Sequence, residues 1–332
     1  MIRFLISAGV VCLLTLVLGA QDGAPKLQQT PGAPAAPPSP DDGGITLSLN
    51  VRLVQIPVSV TSKDGKLVDN LPQSSFQVLE DNVVQDIKLF THEDIPLSLG
   101  LVIDNSASMR TKRPRVNVAA LTFVRESNPD DETFIVDFDE EAFLVQQFTQ
   151  SMADLVDALG DNHGGVGTAV YDAIYLSLDH VKTGTRDKKA LLVITDGEDM
   201  DSKYGINPLL AHIKESKDVA IYAIGLLEEN DDRGGIFAKS PSKKAKEDLT
   251  KIAELTGGEA YFPKTVDEVA DICKKIARDL RNQYTLGYSP KNAKQDGSYR
   301  TVTVKVTPPS SALKPTVRAK PGYTAPGPST QP

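Results

Sequence analysis

The stretch LSLGLVIDNSASM, residues 97–109, decides the fold of this chain. Its first seven residues are almost continuously apolar, which is typical of a parallel β-strand buried on both faces. Asp104 ends that run, and polar residues follow at once. From there to Arg281, strand patterns such as Ala190–Thr195 alternate with helix patterns, one of which predicts a helix from 168 to about 181. This alternation predicts an α/β fold with a doubly wound, mostly parallel, Rossmann-like sheet.

Two segments with a different hydrophobic period flank the α/β region. From Ile45 to about Thr91, and again after Arg281, apolar residues alternate with a period of two, which is typical of strands with one buried face. We predict one small β-sandwich built from both segments, with the α/β domain inserted in it; two unrelated β appendages are the alternative. The predicted bounds are 45–94 for the first part of the sandwich, 95–281 for the α/β domain and 282–320 for the second part.

The two ends of the chain have compositions that do not suit a folded core. Residues 1–20 combine a positive start, an apolar run and a small-residue end, which predicts a signal peptide cleaved after Ala20. An uncleaved membrane anchor is the alternative. The proline-rich residues 21–44 are predicted to be a disordered linker, and residues 321–332 a disordered tail. We therefore expect an exported protein, either periplasmic or secreted.

Charge and cysteine content restrict the function further. The chain has 36 Lys and Arg against 44 Asp and Glu, a net charge of −8. A general binder of nucleic acid or of anionic membranes needs a basic face, so these classes are disfavoured. No segment after the signal peptide is apolar enough to span a bilayer. Cys273 is the one cysteine outside the signal peptide, and its helical apolar pattern predicts a small buried hydrophobe.

Three short polar stretches carry the chemistry: DNSASM at 104–109, GGVGT at 164–168 and TDGED at 195–199. In an open α/β sheet, ligands bind beyond the carboxyl ends of the strands, where the winding direction reverses. Two carboxylates and three hydroxyls are therefore expected in one crevice: Asp104, Ser106, Ser108, Thr168 and Asp196. Such oxygen donors suit Mg²⁺, with Mn²⁺ or Ca²⁺ as alternatives, whereas Zn²⁺ and copper prefer His or Cys. Asp199 and Asp201 lie near enough to affect the field of the site without being ligands.

These residues resemble the metal-ion-dependent adhesion site of the von Willebrand factor type A family. The D-x-S-x-S motif of that family falls on Asp104, Ser106 and Ser108, its threonine on Thr168 and its second aspartate on Asp196. The resemblance covers the whole α/β domain. It implies that both serines ligate the metal directly, that the threonine does so in the ligand-bound arrangement, and that the aspartates act mainly through water. It also implies the strand order 3-2-1-4-5-6 with one antiparallel edge strand.

The flanking segments are similar to a narrower group of exported bacterial proteins that carry this domain, many of them from Acidobacteria. The phrases FQVLEDNVVQDIKLF at 76–90 and YTLGYSP at 284–290 carry that similarity. The five-oxygen constellation, and not this narrower similarity, is the basis of the expected function, which is not enzymatic. We expect an adhesion or scaffold module that binds, through its metal ion, an acidic Asp or Glu side chain presented by a partner protein.

Two other functions stay open from the sequence. A serine hydrolase would use Ser106 or Ser108 as nucleophile, with His163 as base and Asp196 to orient it, although no nucleophile-elbow pattern surrounds either serine. Alternatively, the metal only stabilises a structural domain, and no partner depends on it.

Overall fold

The structure is a computed structural model that describes residues 53–160, 164–216, 218–227, 240–307 and 314–327. The predicted signal peptide, the predicted linker and His163 lie outside these residues. Among the residues described, no helix is both long enough and apolar enough to cross a membrane.

The described residues form fourteen strands and six α-helices, named here in chain order. The strands are β1 (Val54–Thr61), β2 (Phe76–Glu80), β3 (Val83–Gln85), β4 (Ile87–Thr91), β5 (Leu97–Asp104), β6 (Glu132–Phe138), β7 (Ala142–Thr149), β8 (Lys188–Thr195), β9 (Val219–Gly225), β10 (Ala260–Tyr261), β11 (Tyr284–Tyr288), β12 (Tyr299–Val306), β13 (Thr316–Ala319) and β14 (Gly322–Thr324). The helices are α1 (Arg113–Glu126), α2 (Met152–Gly160), α3 (Val170–Val181), α4 (Ile206–Glu215), α5 (Pro241–Thr256) and α6 (Val269–Arg281).

A six-stranded sheet lies at the centre of the α/β domain, in the order β10-β9-β8-β5-β6-β7. All neighbouring strands are parallel except β7, which runs antiparallel to β6 at the edge. With β5 counted as strand 1 and β10 as strand 6, the sheet read from β7 has the order 3-2-1-4-5-6 with one antiparallel edge strand. The predicted strand order is therefore confirmed. The chain first adds β6 and β7 on one side of β5 and then β8 to β10 on the other. The winding direction therefore reverses between β5 and β8.

Helices cover both faces of this sheet. Every residue of β5 is buried, as expected of a strand with a core on each side. Leu101 packs in one core with α1, α2 and α6, whereas the next residue, Val102, packs in the other with α3, α4 and α5. Successive side chains of a strand point to opposite faces, so an unbroken apolar run is what this position requires.

Two helices differ from the sequence prediction. Helix α2 was not predicted, because only three of its nine residues are buried and its pattern is too short to stand out: Leu155, Ala158 and Leu159. Helix α3 begins at Val170, two residues after the predicted start at 168. The reason for that delay is the loop before α3, whose backbone N–H groups bond to carboxylates and not to the helix.

The remaining strands form two four-stranded sheets, β13-β1-β11-β4 and β14-β12-β2-β3. Each sheet combines strands from both sides of the α/β domain, since β1 pairs with β11 and β2 pairs with β12, both antiparallel. The two sheets share one apolar core, which includes Val58, Val78 and Leu286. The α/β domain is therefore inserted in one β-sandwich, and the alternative of two unrelated appendages is wrong.

The β-sandwich continues past residue 320. Gly322–Thr324 forms β14 and pairs antiparallel with β12, inside the stretch that the sequence predicts as a tail. A Cβ atom on Gly322 would lie 2.3 Å from the backbone oxygen of Arg300, so this close approach of two strands requires glycine. A three-residue strand beside prolines has too little periodicity to be recognised from sequence.

Candidate functional site

The site lies beyond the carboxyl ends of β5 and β8, where the winding direction reverses. The parallel register places Ile103 beside Ile194, so Asp104 and Thr195 end two neighbouring strands at the same level. The Thr195 hydroxyl donates a 2.6 Å hydrogen bond to Oδ2 of Asp104. Thr195 is not among the predicted site residues, although its place directly before the second aspartate of the motif is a signal that indicates it.

Asp104 is fully buried and its carboxylate is held from two directions. Oδ2 accepts from Thr195, and Oδ1 accepts a 2.8 Å hydrogen bond from the backbone N–H of Ser106. Burial raises the pKa of Asp104 above its ordinary value; its hydrogen bonds oppose that rise, and the nearby charge of Asp196 adds to it. A cation beside this carboxylate would stabilise its ionised form.

The serines of the motif bring their hydroxyls together with Asp196. The Oγ atoms of Ser106 and Ser108 are 3.1 Å apart, and the Ser108 hydroxyl donates to Oδ1 of Asp196 at 2.8 Å. A 3-10 turn at Ala107–Met109 positions the two serines, with the backbone N–H of Met109 bonded to the Ser106 carbonyl at 3.0 Å. The buried side chain of Met109 fixes that turn to the core.

Arg113 supports the motif from below. One Nη atom donates to the backbone oxygen of Asp104 at 3.0 Å, and the other donates to Oδ2 of Asp137 at 2.6 Å. Both side chains of this ion pair are almost completely buried. The guanidinium thus connects the end of β5 to the end of β6, which fixes the backbone from which the site residues project.

Thr168 lies in a loop that three carboxylates hold in place. The backbone N–H groups of residues 165–168 donate to side chains of Asp139, Glu140 and Asp201 at distances of 2.7 to 3.2 Å. The Thr168 carbonyl in turn accepts from the backbone N–H of Met200 at 2.9 Å. These carboxylates determine the course of the loop, and the loop then presents the threonine.

The Thr168 side chain lies beside the residue that follows Asp196. It is buried, and a Cβ atom on Gly197 would lie 3.7 Å from its Oγ1 atom. The structure therefore joins Asp104, Ser106, Ser108 and Asp196 into one cluster of hydrogen bonds and places Thr168 next to it.

The two aspartates that were predicted to lie near the site do not contact its hydroxyls in the residues described. Asp201 accepts from the backbone N–H of Thr168, and Asp199 accepts from that of Tyr171 at 3.0 Å. Burial raises the pKa of Asp199, and its bonds to Ser202 and Tyr171 oppose the rise. Both carboxylates therefore order the approach to α3.

The donor set suits a small hard cation. Mg²⁺ takes oxygen ligands at about 2.0–2.1 Å in an octahedron, so neighbouring ligand oxygens are about 2.9 Å apart. The separations of 3.1 Å between the serine hydroxyls and 2.8 Å between Ser108 and Asp196 are close to that value. The described residues contain no cluster of three or more His, Cys, Asp or Glu side chains suited to a metal. Any ion here would depend on hydroxyls, which disfavours Zn²⁺.

A cation from the protein itself also reaches this cluster. Lys112 Nζ lies 2.5 Å from Oδ2 of Asp196, with 28% of the lysine side chain and 2% of the aspartate side chain exposed. This contact was not predicted from the sequence. Its signal is the position of Lys112 four residues after Ser108, in the loop that leads into α1.

The rim of the site is partly apolar. Val166 and Met200 are 90% and 79% exposed, the two highest values among the large apolar side chains described. Val166 precedes Thr168 by two residues, and the backbone of Met200 bonds to Thr168. Both apolar side chains therefore stand on the loops that carry the site.

Comparisons with known proteins agree with this architecture. The family model of the von Willebrand factor type A domain matches residues 99–275, more than half of the chain. No curated protein matches the sequence.

Among solved structures, the chain is similar to an aerotolerance-related membrane protein from Bacteroides fragilis (17% identity, TM-score 0.42), covering 55% of this chain and 98% of that one. It is also similar to BatB from Bacteroides thetaiotaomicron (18%, TM-score 0.41), with coverages of 55% and 98%. A third similar structure is the vWF domain of the type V pili tip protein Mfa5 from Porphyromonas gingivalis (14% identity, TM-score 0.45), covering 56% of this chain and 95% of that one. Similarity at this level says nothing of ligands or partners.

Proposed function

The chain belongs to the von Willebrand factor type A family, and we propose that its α/β domain is a metal-dependent protein-binding module. Domains of this family commonly act in adhesion or in protein interaction. The proposed site residues are Asp104, Ser106, Ser108, Thr168 and Asp196, with the hydroxyls as direct ligands and the two aspartates acting mainly through water. The observation that carries the proposal is the chain of close contacts from Ser106 through Ser108 to Asp196, whose oxygen separations suit one small ion.

The burial of these residues indicates from which side a partner can reach the cluster. Asp104 and Ser106 are buried, whereas Ser108 is exposed, so the cluster opens to solvent on the Ser108 side. Held by these residues, Mg²⁺, or Mn²⁺ or Ca²⁺ in its place, would supply a positive charge able to attract an acidic group. Because the hydroxyls are neutral, they leave most of that charge available to a carboxylate from outside. The partner is thus a protein that presents an Asp or Glu side chain.

The rim supports a protein partner over a small acid. Exposed apolar side chains on an ordered surface commonly mark interaction sites. Val166, two residues before Thr168, and Met200, whose backbone bonds to Thr168, are available for such contacts. We expect the partner to place apolar groups beside its carboxylate. Together with the signal-peptide pattern of residues 1–20, this favours a non-enzymatic role outside the cytoplasm, in adhesion or scaffolding.

The metal site is tested by titration calorimetry with Mg²⁺. Wild type is expected to bind one ion, and Ser106→Ala and Ser108→Ala are expected to weaken that binding strongly while the protein stays folded by circular dichroism. Ser74→Ala, at an exposed serine of the β-sandwich, is the matched control and should bind as wild type does. Equal affinity in all four proteins contradicts the proposed site.

Partner binding is tested by capture from the native cell envelope in three arms. The experiment compares three immobilised samples: wild type with Mg²⁺, wild type with chelator, and Ser106→Ala with Mg²⁺. A partner bound only in the first arm supports the function. If Mg²⁺ raises the melting temperature but no partner depends on Mg²⁺, the metal only stabilises a structural domain. If the protein hydrolyses esters and loses this activity when Ser108 is mutated, the serine hydrolase alternative is supported.

A further inference from the structure

The contact between Lys112 and Asp196 bears on how the site takes up its ion. Oδ1 of Asp196 accepts from Ser108 and Oδ2 from Lys112, so both oxygens of this carboxylate have donors within the protein. With 2% of its side chain exposed, Asp196 has little access to water. A buried carboxylate without a counter-charge is costly, and here the ammonium group supplies that charge.

We propose that Lys112 is an intramolecular counter-ion that a metal must displace from Asp196, and this inference rests on the proposed function. An ammonium group at 2.5 Å from Asp196 places a positive charge beside the cluster formed by Ser106 and Ser108. A divalent ion held on that cluster would be repelled by the ammonium group at this short range. The two cations therefore compete for one carboxylate.

The geometry of Lys112 allows the exchange. Its backbone lies in the turn just before α1, next to the firmly held Arg113, while its side chain is partly exposed. A lysine side chain is a compact charge on a flexible stem, so Nζ can move to solvent without any change in the backbone. Metal uptake would then require a side-chain rotation alone.

The consequence is a lower metal affinity than the oxygen donors alone would give. When only a fraction of molecules has the carboxylate free, the apparent dissociation constant rises by the inverse of that fraction. Lys112 thus sets the metal concentration at which the site fills. In the metal-free protein it also stabilises the fold, because it neutralises Asp196.

The test compares Mg²⁺ binding and melting temperature for wild type, Lys112→Met and Lys112→Arg. Lys112→Met is expected to bind Mg²⁺ about ten times more tightly, because the competing charge is gone. Its metal-free form is expected to melt lower than wild type, so Mg²⁺ raises its melting temperature by more. Lys112→Arg keeps the charge and should stay near wild type in both measurements.

Lys203→Met is the matched control, since Lys203 is an exposed lysine near the same rim that pairs with Glu141 at 3.5 Å. It should leave both readouts unchanged. If Lys112→Met binds Mg²⁺ as tightly as wild type or more weakly, competition is overturned while the metal site stands. If neither wild type nor Lys112→Met binds Mg²⁺, the proposed function itself fails.

Discussion

The hydroxyl of Ser108 donates a 2.8 Å hydrogen bond to the carboxylate of Asp196, although 88 residues separate the two in the chain. The contact exists because β5 and β8 are parallel neighbours, and each delivers its polar loop at the same edge of the sheet. Fold and site are therefore coupled. Substitutions that shift either loop should therefore affect metal affinity more strongly than they affect the free energy of unfolding.

The glycines of the loop before α3 give the first prediction. A Cβ atom on Gly165 would lie 2.1 Å from Oε2 of Glu140, and one on Gly167 would lie 2.2 Å from Oδ2 of Asp201. These carboxylates can move only by giving up their bonds to the loop. Gly165→Ala and Gly167→Ala are each expected to weaken Mg²⁺ binding about tenfold in calorimetry, because Thr168 loses its support.

The control for that experiment is Gly160→Ala at the end of α2. A Cβ atom there meets nothing within 4 Å. Metal affinity and melting temperature should both stay close to wild type. Equal metal affinity in all three variants would mean that the position of Thr168 does not matter to the ion.

Asp131 gives a prediction about pH. Burial raises its pKa from 3.8 to about 6, while bonds from the backbone N–H groups of Leu97 and Asn128 oppose that rise. Between pH 4 and 6 the folded protein therefore binds more protons at this site than the unfolded chain, so its contribution to stability falls as pH increases. The variant Asp131→Asn has no carboxyl group to ionise at this position, so it does not lose stability in this way as the pH rises.

The measurement is the free energy of unfolding in urea at pH 4 and at pH 7 for wild type and Asp131→Asn. The difference between variant and wild type should move in favour of the variant as the pH rises. Asp130→Asn, at the exposed neighbouring position, should follow wild type at both pH values. Parallel behaviour of Asp131→Asn and wild type would show that this carboxyl titrates normally.

Most elements of the α/β domain were predictable because they depend on local patterns. The unbroken apolar strand ending at Asp104 and the three polar stretches indicated the sheet and the edge at which the polar residues gather. The strand order came from the family resemblance and agrees with the structure. The similarity to exported proteins of Acidobacteria stays a prediction.

The residues that support the site were not predictable in the same way. No role was predicted for Arg113 or Lys112 from the sequence, yet Arg113 is buried under Asp104 and Lys112 reaches Asp196. Both contacts join positions that are adjacent only after the sheet has formed. Short elements such as α2 and β14 were missed because their burial depends on neighbours distant in sequence.

Arg318 gives a prediction about the connection between the two halves of the fold. From β13 of the β-sandwich, its guanidinium donates to Asp279 of α6 and to Glu259. Asp279 is almost fully buried, and among the residues described it also accepts a hydrogen bond from the Tyr222 hydroxyl at 2.6 Å. Removing one partner of a buried ion pair leaves the other charge uncompensated, at a cost of about 3 kcal/mol.

Arg318→Met is therefore expected to lower the free energy of unfolding by about that amount in urea titration. Arg115→Met breaks a pair with Asp267 in which both side chains are mostly exposed. Exposed pairs contribute little, so this control should unfold as wild type does. Similar stability for the two variants would mean that Arg318 does not hold α6 to the β-sandwich.

Thr195 tests whether the orientation of Asp104 matters to the ion. Its buried hydroxyl is the donor to Oδ2 of Asp104, so Thr195→Val keeps the shape of the side chain but leaves that oxygen without this bond. The loss of stability should be about 1–3 kcal/mol. Mg²⁺ binding should weaken about tenfold, as is usual when a group that orients a metal ligand is removed.

Thr195→Ser restores the hydroxyl and should recover most of the affinity, which a purely structural role for the methyl group would not predict. Calorimetry on the three proteins decides between these outcomes, because unchanged affinity in Thr195→Val would separate the orientation of Asp104 from metal binding.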